Sequence, residues 1–405
     1  MSNVQESYDY VIVGGGVAAT SAVKGIRSQD SSGTVAVLGS EPHDPVYRPA
    51  LSKDLWLKDD ESLEGQSLAG DLDDDDAVDL VLDTTVTEID PAAHAVRLAD
   101  GTSVGYGKLL LATGAEPRTL GLEAGPRVVY YRTSADYERL RGLATSGSHV
   151  VVVGGGYIGS EIAAALVQND VAVTLVLDLE DVQEQMFPRA LAASLTKDFA
   201  EHGVTIVHGS VSTGEETGDG VRIRLDDGTD VVADAAVIGV GVQPRTGLAE
   251  AAGLEVDNGV VVDERLRTSV EDVYAAGDVA SYPDALLGRR RVEHVDQAEK
   301  SGEHAGKVMA GADETYTYTP IFWSDLFDAG YEAVGETRSD LDMVEDWKDG
   351  ELGTGVVYYL KAGSVRGVLL WNVWDSTDQA REVIAETKDA PLDDPESLRG
   401  RIPFG

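Results

Sequence analysis

Short apolar runs punctuated by glycine set the pattern of this chain. Tyr10-Val11-Ile12-Val13 runs into Gly14-Gly15-Gly16 and on into Ala-rich sequence, which predicts a strand, a tight turn and a helix over residues 17 to 28. The same order recurs at Val150-Val151-Val152-Val153-Gly154-Gly155-Gly156-Tyr157-Ile158-Gly159, with a helix expected from Gly159 to Asn169 and the next strand from Val171 to Leu177. Between the two repeats the pattern predicts a strand at Thr34 to Leu38, a helix around Leu55 and strand-like alternation from Val78 to Val96. A buried strand through Lys108 to Leu111 ends in the small-residue turn Ala112-Thr113-Gly114-Ala115. Residues 116 to 147 read as a linker with one helix. Further strands are expected at Thr205 to Val207, Val221 to Leu225 and Ala235 to Val240, and Val273-Tyr274-Ala275 leads into Gly277-Asp278 at an expected helix start. From about Tyr316 the runs alternate, as in Gly355 to Leu360 and Val365 to Trp374, and predict an antiparallel sheet.

The glycine turns carry the first chemistry. A strand that ends in closely spaced glycines lets the backbone approach a pyrophosphate, whose charge meets the free N–H groups and positive dipole end of the next helix. Gly14, Gly16, Val17 and Ala18 form one such cradle, with Ala19 at the third small position, and Gly154, Gly156, Tyr157, Ile158 and Gly159 form the other. Glu41 follows the second strand about where a carboxylate accepts hydrogen bonds from a ribose. Arg48 and Lys53 offer a guanidinium for phosphate and an ammonium for an electron-rich ring. After Leu177 come Asp178, Leu179, Glu180 and Asp181, with no basic residue before Arg189, so a ribose 2′-phosphate is disfavoured and the second nucleotide is expected to be NADH rather than NADPH.

Composition narrows the partners. Seventy-two acidic against 32 basic residues give a formal net charge of −40 over 405 residues, which argues against nucleic acid and anionic membranes. There is no cysteine, so disulfide, thiolate-metal and Cys-x-x-Cys chemistry is excluded and redox work must fall to a bound organic cofactor. With no 18-residue apolar run and no charged-then-apolar leader, the chain is expected to be cytoplasmic, with no membrane span.

Together, the two cradles, Ala112-Thr113-Gly114-Ala115 and Ala276-Gly277-Asp278 resemble the two-dinucleotide flavoprotein reductases of the glutathione reductase fold. The lack of cysteine sets the chain apart from the disulfide reductases, toward the group with apoptosis-inducing factor and the oxygenase-coupled ferredoxin reductases. Arg48-Pro49-Ala50-Leu51-Ser52-Lys53-Asp54-Leu55-Trp56, Gly159-Ser160-Glu161, Phe322-Trp323-Ser324-Asp325-Leu326, Gly330-Tyr331-Glu332-Ala333-Val334-Gly335 and Leu370-Trp371-Asn372 are similar to the pattern of apoptosis-inducing factor. The resemblance implies an α/β fold with two Rossmann-like dinucleotide-binding domains and a C-terminal α+β domain. Expected boundaries are 1–120 with 250–315 for FAD, 121–249 for NAD and 316–405 for the last domain. It implies that Glu41, Arg48, Lys53, Val86, Thr113, Gly114, Arg132, Asp278, His294, Val295 and Trp323 serve FAD, and that Asp178, Glu180, Gly241, Glu293 and Glu332 serve NAD. Lys53 and Glu161 are implied to pair beside the flavin and, with His294 and Trp323, to form the catalytic set.

The implied reaction is hydride transfer from NADH to FAD, with the electrons passed to an acceptor the sequence leaves open: a small redox protein, a quinone or oxygen. Two alternatives stand beside it. One is a dedicated ferredoxin reductase, and the other an NADH-sensing flavoprotein acting through a charge-transfer complex and homodimerisation. The Arg289-Arg290-Arg291 triplet reads as a solvated turn or a docking patch for an acidic electron carrier.

The acidic excess also points to a salt-rich cytoplasm, where ions screen self-repulsion over about 8 Å or less. The melting temperature is expected to climb with added potassium chloride, and a flat profile would refute the link.

Overall fold

The computed structural model describes residues 4–404. The chain divides into two compact units. The first comprises residues up to Arg48, Ser62–Glu116 and Gln243–Pro320; the second comprises Pro49–Glu61, Pro117–Val242 and residues from Ile321 on.

In the first unit the strands Val78–Val81, Val35–Leu38, Ser7–Val13 and Ser103–Leu111 lie side by side in parallel, and Val273–Ala275 adds to the far side of Ser103–Leu111. The hairpin Val86–Asp90 with Ala95–Leu98 extends the sheet antiparallel from the start of Ser103–Leu111. The strand residues Val11, Ile12, Val35, Ala36, Val37, Leu109 and Leu110 have essentially no solvent exposure, as strands covered on both faces require. Register puts Val13 opposite both Leu38 and Leu111, and Leu111 opposite Ala275. Four parallel strands therefore end at one level, and Gly14, Gly39, Ala112 and Ala276 follow along a single carboxyl edge, where open α/β sheets bind their ligands.

Helix Val17–Arg27 lies against helix Val295–Met309 with almost no side chain between them. A Cβ on Gly302 would sit 2.3 Å from the Ala18 carbonyl oxygen, and one on Gly306 only 2.0 Å from that of Ala22. Missing side chains on the later helix thus fix how the cradle's helix lies.

The second unit repeats the plan. Thr205–His208, Ala172–Leu177, His149–Val153, Ala235–Ile238 and Val128–Tyr130 form a five-stranded parallel sheet, with Val153 level with Val176 and Ile238. A three-stranded antiparallel sheet (Val211–Glu216, Val221–Leu225, Asp230–Ala233) belongs to the same unit. So does the five-stranded antiparallel sheet from Ile321 on, ordered Ile321–Leu326, Ala329–Gly335, Ser364–Trp371, Gly355–Lys361, Asp342–Trp347 and packed against helix Thr377–Lys388. Phe187 meets Tyr331 and Trp371 edge-on at 5.2 and 5.3 Å, joining this sheet to the parallel part of the unit.

Several elements differ from the sequence reading. The stretch 116 to 147 holds strand Val128–Tyr130 as well as helix Ser134–Leu143; its three residues are too few to show an alternating pattern. Helix Arg189–Glu201 was not anticipated. Around Leu55 there is a 3-10 turn, Arg48–Ser52, and one helical turn, Asp54–Leu57. The expected helix at Gly277-Asp278 is the single 3-10 turn Gly277–Val279, because strand Ala280–Asp284 takes up the chain directly. The arginine triplet lies in and just after strand Gly288–Arg290, with Arg289 exposed and Arg290 and Arg291 half-buried. Arg289 donates to the carbonyls of Val262 and Ser281, Arg290 approaches Asp284 at 3.9 Å, and Arg291 pairs with Glu293 at 2.5 Å. Each guanidinium is thus engaged by a carbonyl or a carboxylate, of which the Asp284 carboxylate is the buried one.

Gly306→Val is expected to force the two helices of the first unit apart and to cost about 1–3 kcal/mol. Gly311→Ala, beyond the helix end, is not a fair control because of its φ of +102°; Gly142→Ala, where a Cβ meets open space, is. Urea unfolding of both variants measures this, and a Gly306→Val midpoint equal to that of Gly142→Ala would contradict the packing.

Candidate functional site

The first cradle is built from backbone constraints. Gly14 has φ +127°, and a Cβ there would lie 2.1 Å from the Ala112 carbonyl oxygen, so no other residue fits between the two strand ends. Its N–H donates to Leu38 O at 2.9 Å. At Gly16, by contrast, a Cβ would meet nothing within 4 Å. That open side faces outward at the N-cap of helix Val17–Arg27, where no side chain caps the first N–H groups of Val17 and Ala18. Ala19, fully buried, occupies the third small position.

Around this cradle the first unit gathers polar groups. Gly277, at φ +73°, sets its Cα side against Ala18 and donates its N–H to the Ser301 hydroxyl at 2.9 Å, which brings buried Asp278 to the cradle's helix. His294 is the N-cap of helix Val295–Met309, with Val295 its first residue. Burial pushes the His294 imidazole down to about 4, with the Asp278 carboxylate pulling it up and the Arg290 guanidinium pushing it down. Near neutral pH His294 is therefore uncharged, and it can exchange hydrogen bonds but not serve as an imidazolium acid. Arg48 Nη2 pairs with Glu41 Oε1 at 2.6 Å. Thr113 donates its hydroxyl to the Arg245 carbonyl at 3.0 Å, and Gly114 turns at φ +67°. Val86 is buried at the start of its strand, two residues after Thr84, whose N–H holds Gly39 O beside Gly15. Glu293 is exposed and paired with Arg291.

In the second unit Gly154 has φ +101° with a Cβ position 2.5 Å from Gly239 O, and Gly156 again opens onto nothing within 4 Å. Gly159 cannot be alanine as residue 19 is: its Cβ would lie 1.8 Å from Gly154 O. Tyr157 and Ile158, at 38% and 37% exposure, present apolar surface at the mouth of this cradle. Asp178 and Glu180 are exposed just beyond strand Ala172–Leu177, Glu180 reaching Arg189 at 3.4 Å, and Gly241 turns at φ +92°. Arg132 precedes helix Ser134–Leu143, its N–H donating to the Asp136 carboxylate.

The same unit contains a buried ion pair. Lys53 Nζ lies 2.5 Å from Glu161 Oε1, and both side chains are largely removed from solvent. Ser324 donates to Oε1 at 2.6 Å and Ser52 to Oε2 at 2.5 Å, so both carboxylate oxygens are occupied. No local pattern marks the two serines for this role; only the fold shows that residues 52, 161 and 324 meet. The Ser52–Lys53 segment is held because the Leu51 carbonyl accepts from both Trp56 Nε1 and Tyr131 OH, while Trp56 lies between Tyr137 and the Arg141 guanidinium. Trp323, half-buried, stands opposite Glu332 in the neighbouring strand. Glu332 Oε2 is buried without a hydrogen-bond partner among the described residues, and burial raises the carboxyl pKa, with the Asp375 carboxylate adding to the rise and the Asp375 N–H opposing it.

Both cradles fit a dinucleotide, on the ground that each closes its first glycine against backbone and leaves its second open at an uncapped helix start. Among the described residues there is no cluster able to hold a metal, and no helix is long and apolar enough to cross a membrane.

Comparison with known proteins agrees with this geometry. A family described as pyridine nucleotide-disulphide oxidoreductase matches residues 8–302, and one described as the C-terminal part of apoptosis-inducing factor, mitochondrion-associated, matches 344–386. The ferredoxin–NAD(+) reductase component of the anthranilate 1,2-dioxygenase system of Burkholderia cepacia is 38% identical over 80% of this chain and 81% of its own. Apoptosis-inducing factor 1 of Dictyostelium discoideum is 32% identical over 98% and 82%. Among solved structures, the putidaredoxin reductase–putidaredoxin complex aligns with a TM-score of 0.84 at 30% identity, covering 95% of this chain and 94% of that one. The chain accordingly belongs to the pyridine nucleotide-disulphide oxidoreductase family, whose members use FAD and NAD(H), and it does so without a single cysteine.

Proposed function

We propose that this enzyme oxidises NADH with FAD as its resident cofactor and passes the electrons to a separate acceptor. The observation that carries this reading is the pair of glycine cradles, one in each unit, each open at its second glycine. Gly14, Gly16, Val17 and Ala18 take the FAD pyrophosphate, Glu41 accepts hydrogen bonds from ribose hydroxyls, and Asp278 does the same for the ribityl chain. Arg48, Val86, Thr113, Gly114, His294 and Val295 complete the assignment within the first unit; Lys53, Arg132 and Trp323 are added on the family resemblance. NADH is assigned to Gly154, Gly156, Tyr157, Ile158 and Gly159, with Gly241 and Glu332 of the same unit; Glu293 is added on the family resemblance alone. Asp178 and Glu180 accept from its ribose and repel a 2′-phosphate.

Bound FAD supplies a hydride acceptor whose electrons can leave one at a time. The chain's own residues do the rest by position and charge. Glu161 holds the Lys53 ammonium in place, and a fixed cation favours an electron-rich ring beside it. His294, neutral near pH 7, contributes hydrogen bonding and shape. No side chain has to donate or remove a proton for hydride transfer, since holding two rings in contact supplies most of the acceleration.

Similarity to the ferredoxin–NAD(+) reductase of B. cepacia supports a more specific version, in which the acceptor is a small redox protein. Arg290 and Arg291 of the triplet are engaged by Asp284 and Glu293, which argues against the triplet as that partner's docking patch. Cytoplasmic location, a C-terminal α+β domain over residues 316–405 and a homodimer belong to this proposal as well.

The purified protein is expected to be yellow and to lose its flavin absorbance on adding NADH; a colourless protein that NADH does not alter would end the proposal. Gly16→Arg, which fills the open side of the first cradle, is expected to abolish flavin retention. NADH is expected to be preferred over NADPH by at least about tenfold in kcat/KM, equivalent to about 1.4 kcal/mol. Reduction of cytochrome c with and without an added ferredoxin tests the acceptor, strong ferredoxin dependence favouring the small-protein version.

A further inference from the structure

Glu161 belongs to a longer buried chain of polar groups. Ser324, which donates to Glu161 Oε1, stands directly opposite Tyr331 in the neighbouring strand. Tyr331 donates to Gln183 Oε1 at 2.9 Å, and Gln183 Nε2 donates to the Ser160 hydroxyl at 2.8 Å. The Gln183 backbone N–H donates to Gly155 O at 2.9 Å, inside the second cradle. Ser160, Glu161, Gln183, Ser324 and Tyr331 are all buried, and all lie in one unit. Gln183 also takes φ +54°, an unusual value for a residue with a side chain, and three hydrogen bonds hold it there.

The geometry points to Gln183 and Tyr331 as positioning residues that tie the shape of the nucleotide cradle to the placement of the Lys53–Glu161 pair. Neither residue is assigned to touch either cofactor. Gln183 holds the middle glycine of the turn from one side and the helix carrying Glu161 from the other, while Tyr331, which donates to Gln183, is the cross-strand neighbour of the serine that clamps the carboxylate. A shift of the Gly155 peptide on dinucleotide binding is therefore carried to Glu161 and on to the Lys53 ammonium through bonds that have no water to exchange with.

This inference rests on the reading of Gly154–Gly159 as the NADH cradle and of Lys53 as a neighbour of the flavin. Its test uses ADP-ribose, which fills the cradle but has no nicotinamide ring to stack on anything. Binding to the flavin-loaded protein is followed by calorimetry and, in parallel, by the visible flavin spectrum. The unaltered protein is expected to bind ADP-ribose and to shift its flavin band. Tyr331→Phe and Gln183→Leu are expected to bind it still, with the shift reduced at least about fivefold. Tyr331→Phe removes one hydroxyl from an otherwise unchanged ring and decides the matter if the Gln183 variant does not fold. Binding without any shift in the unaltered protein, or a shift of full size in Tyr331→Phe, overturns the coupling and leaves the cradle reading standing. A failure of ADP-ribose to bind the unaltered protein overturns the cradle reading and the coupling with it.

Discussion

A carboxylate removed from water sits at the centre of the second unit, and much of the local structure exists to keep it there. Glu161 lies on the helix that begins at the Gly154–Gly156 turn, so its place along the chain is set by the nucleotide cradle. An isolated buried charge is not tolerated, and removing one partner of a buried pair typically costs about 3–5 kcal/mol. Lys53 supplies the opposite charge and two serines take the remaining lone pairs, one from the segment before Asp54–Leu57 and one from the first strand of the antiparallel sheet. Three separate stretches of sequence are thereby required to meet at one point.

The packing around that point follows the same requirement. The Lys53 segment is short and has one helical turn of its own, too little to hold a lysine in a fixed direction. Trp56, Tyr131, Tyr137 and Arg141 fasten it through the Leu51 and Leu55 carbonyls and through ring contacts. The antiparallel sheet is seated by Phe187, Tyr331 and Trp371, which puts Ser324 against the helix of Glu161. In the first unit the corresponding device is steric, since glycines on one helix admit the backbone of another and so set the direction of the cradle's helix.

Charge acts at two scales. Across the surface the acidic excess is a diffuse, salt-screened repulsion that bears on stability and on which partners approach. Locally, basic side chains are used individually: Lys53 on buried Glu161, half-buried Arg48 on Glu41, and Arg289 on two carbonyls.

The sequence by itself determined both glycine cradles, the parallel strands that carry them, the antiparallel sheet near the end, and the absence of cysteine chemistry, because each of these is a local matter of backbone freedom or of side-chain alternation. Val128–Tyr130 escaped notice because three residues show no period, and the turn at Gly277 passed for a helix start because only the strand after it cuts it short. Glu161 could be singled out only by resemblance, since one acid on an apolar helix carries no mark of its partner. That Ser52, Lys53 and Ser324 converge on it, that Gln183 reaches from Gly155 toward Tyr331, and that Arg290 and Arg291 meet Asp284 and Glu293 were decided by the tertiary structure. Residues 109 or 163 positions apart share no local pattern, and only the burial of a charge forces them together.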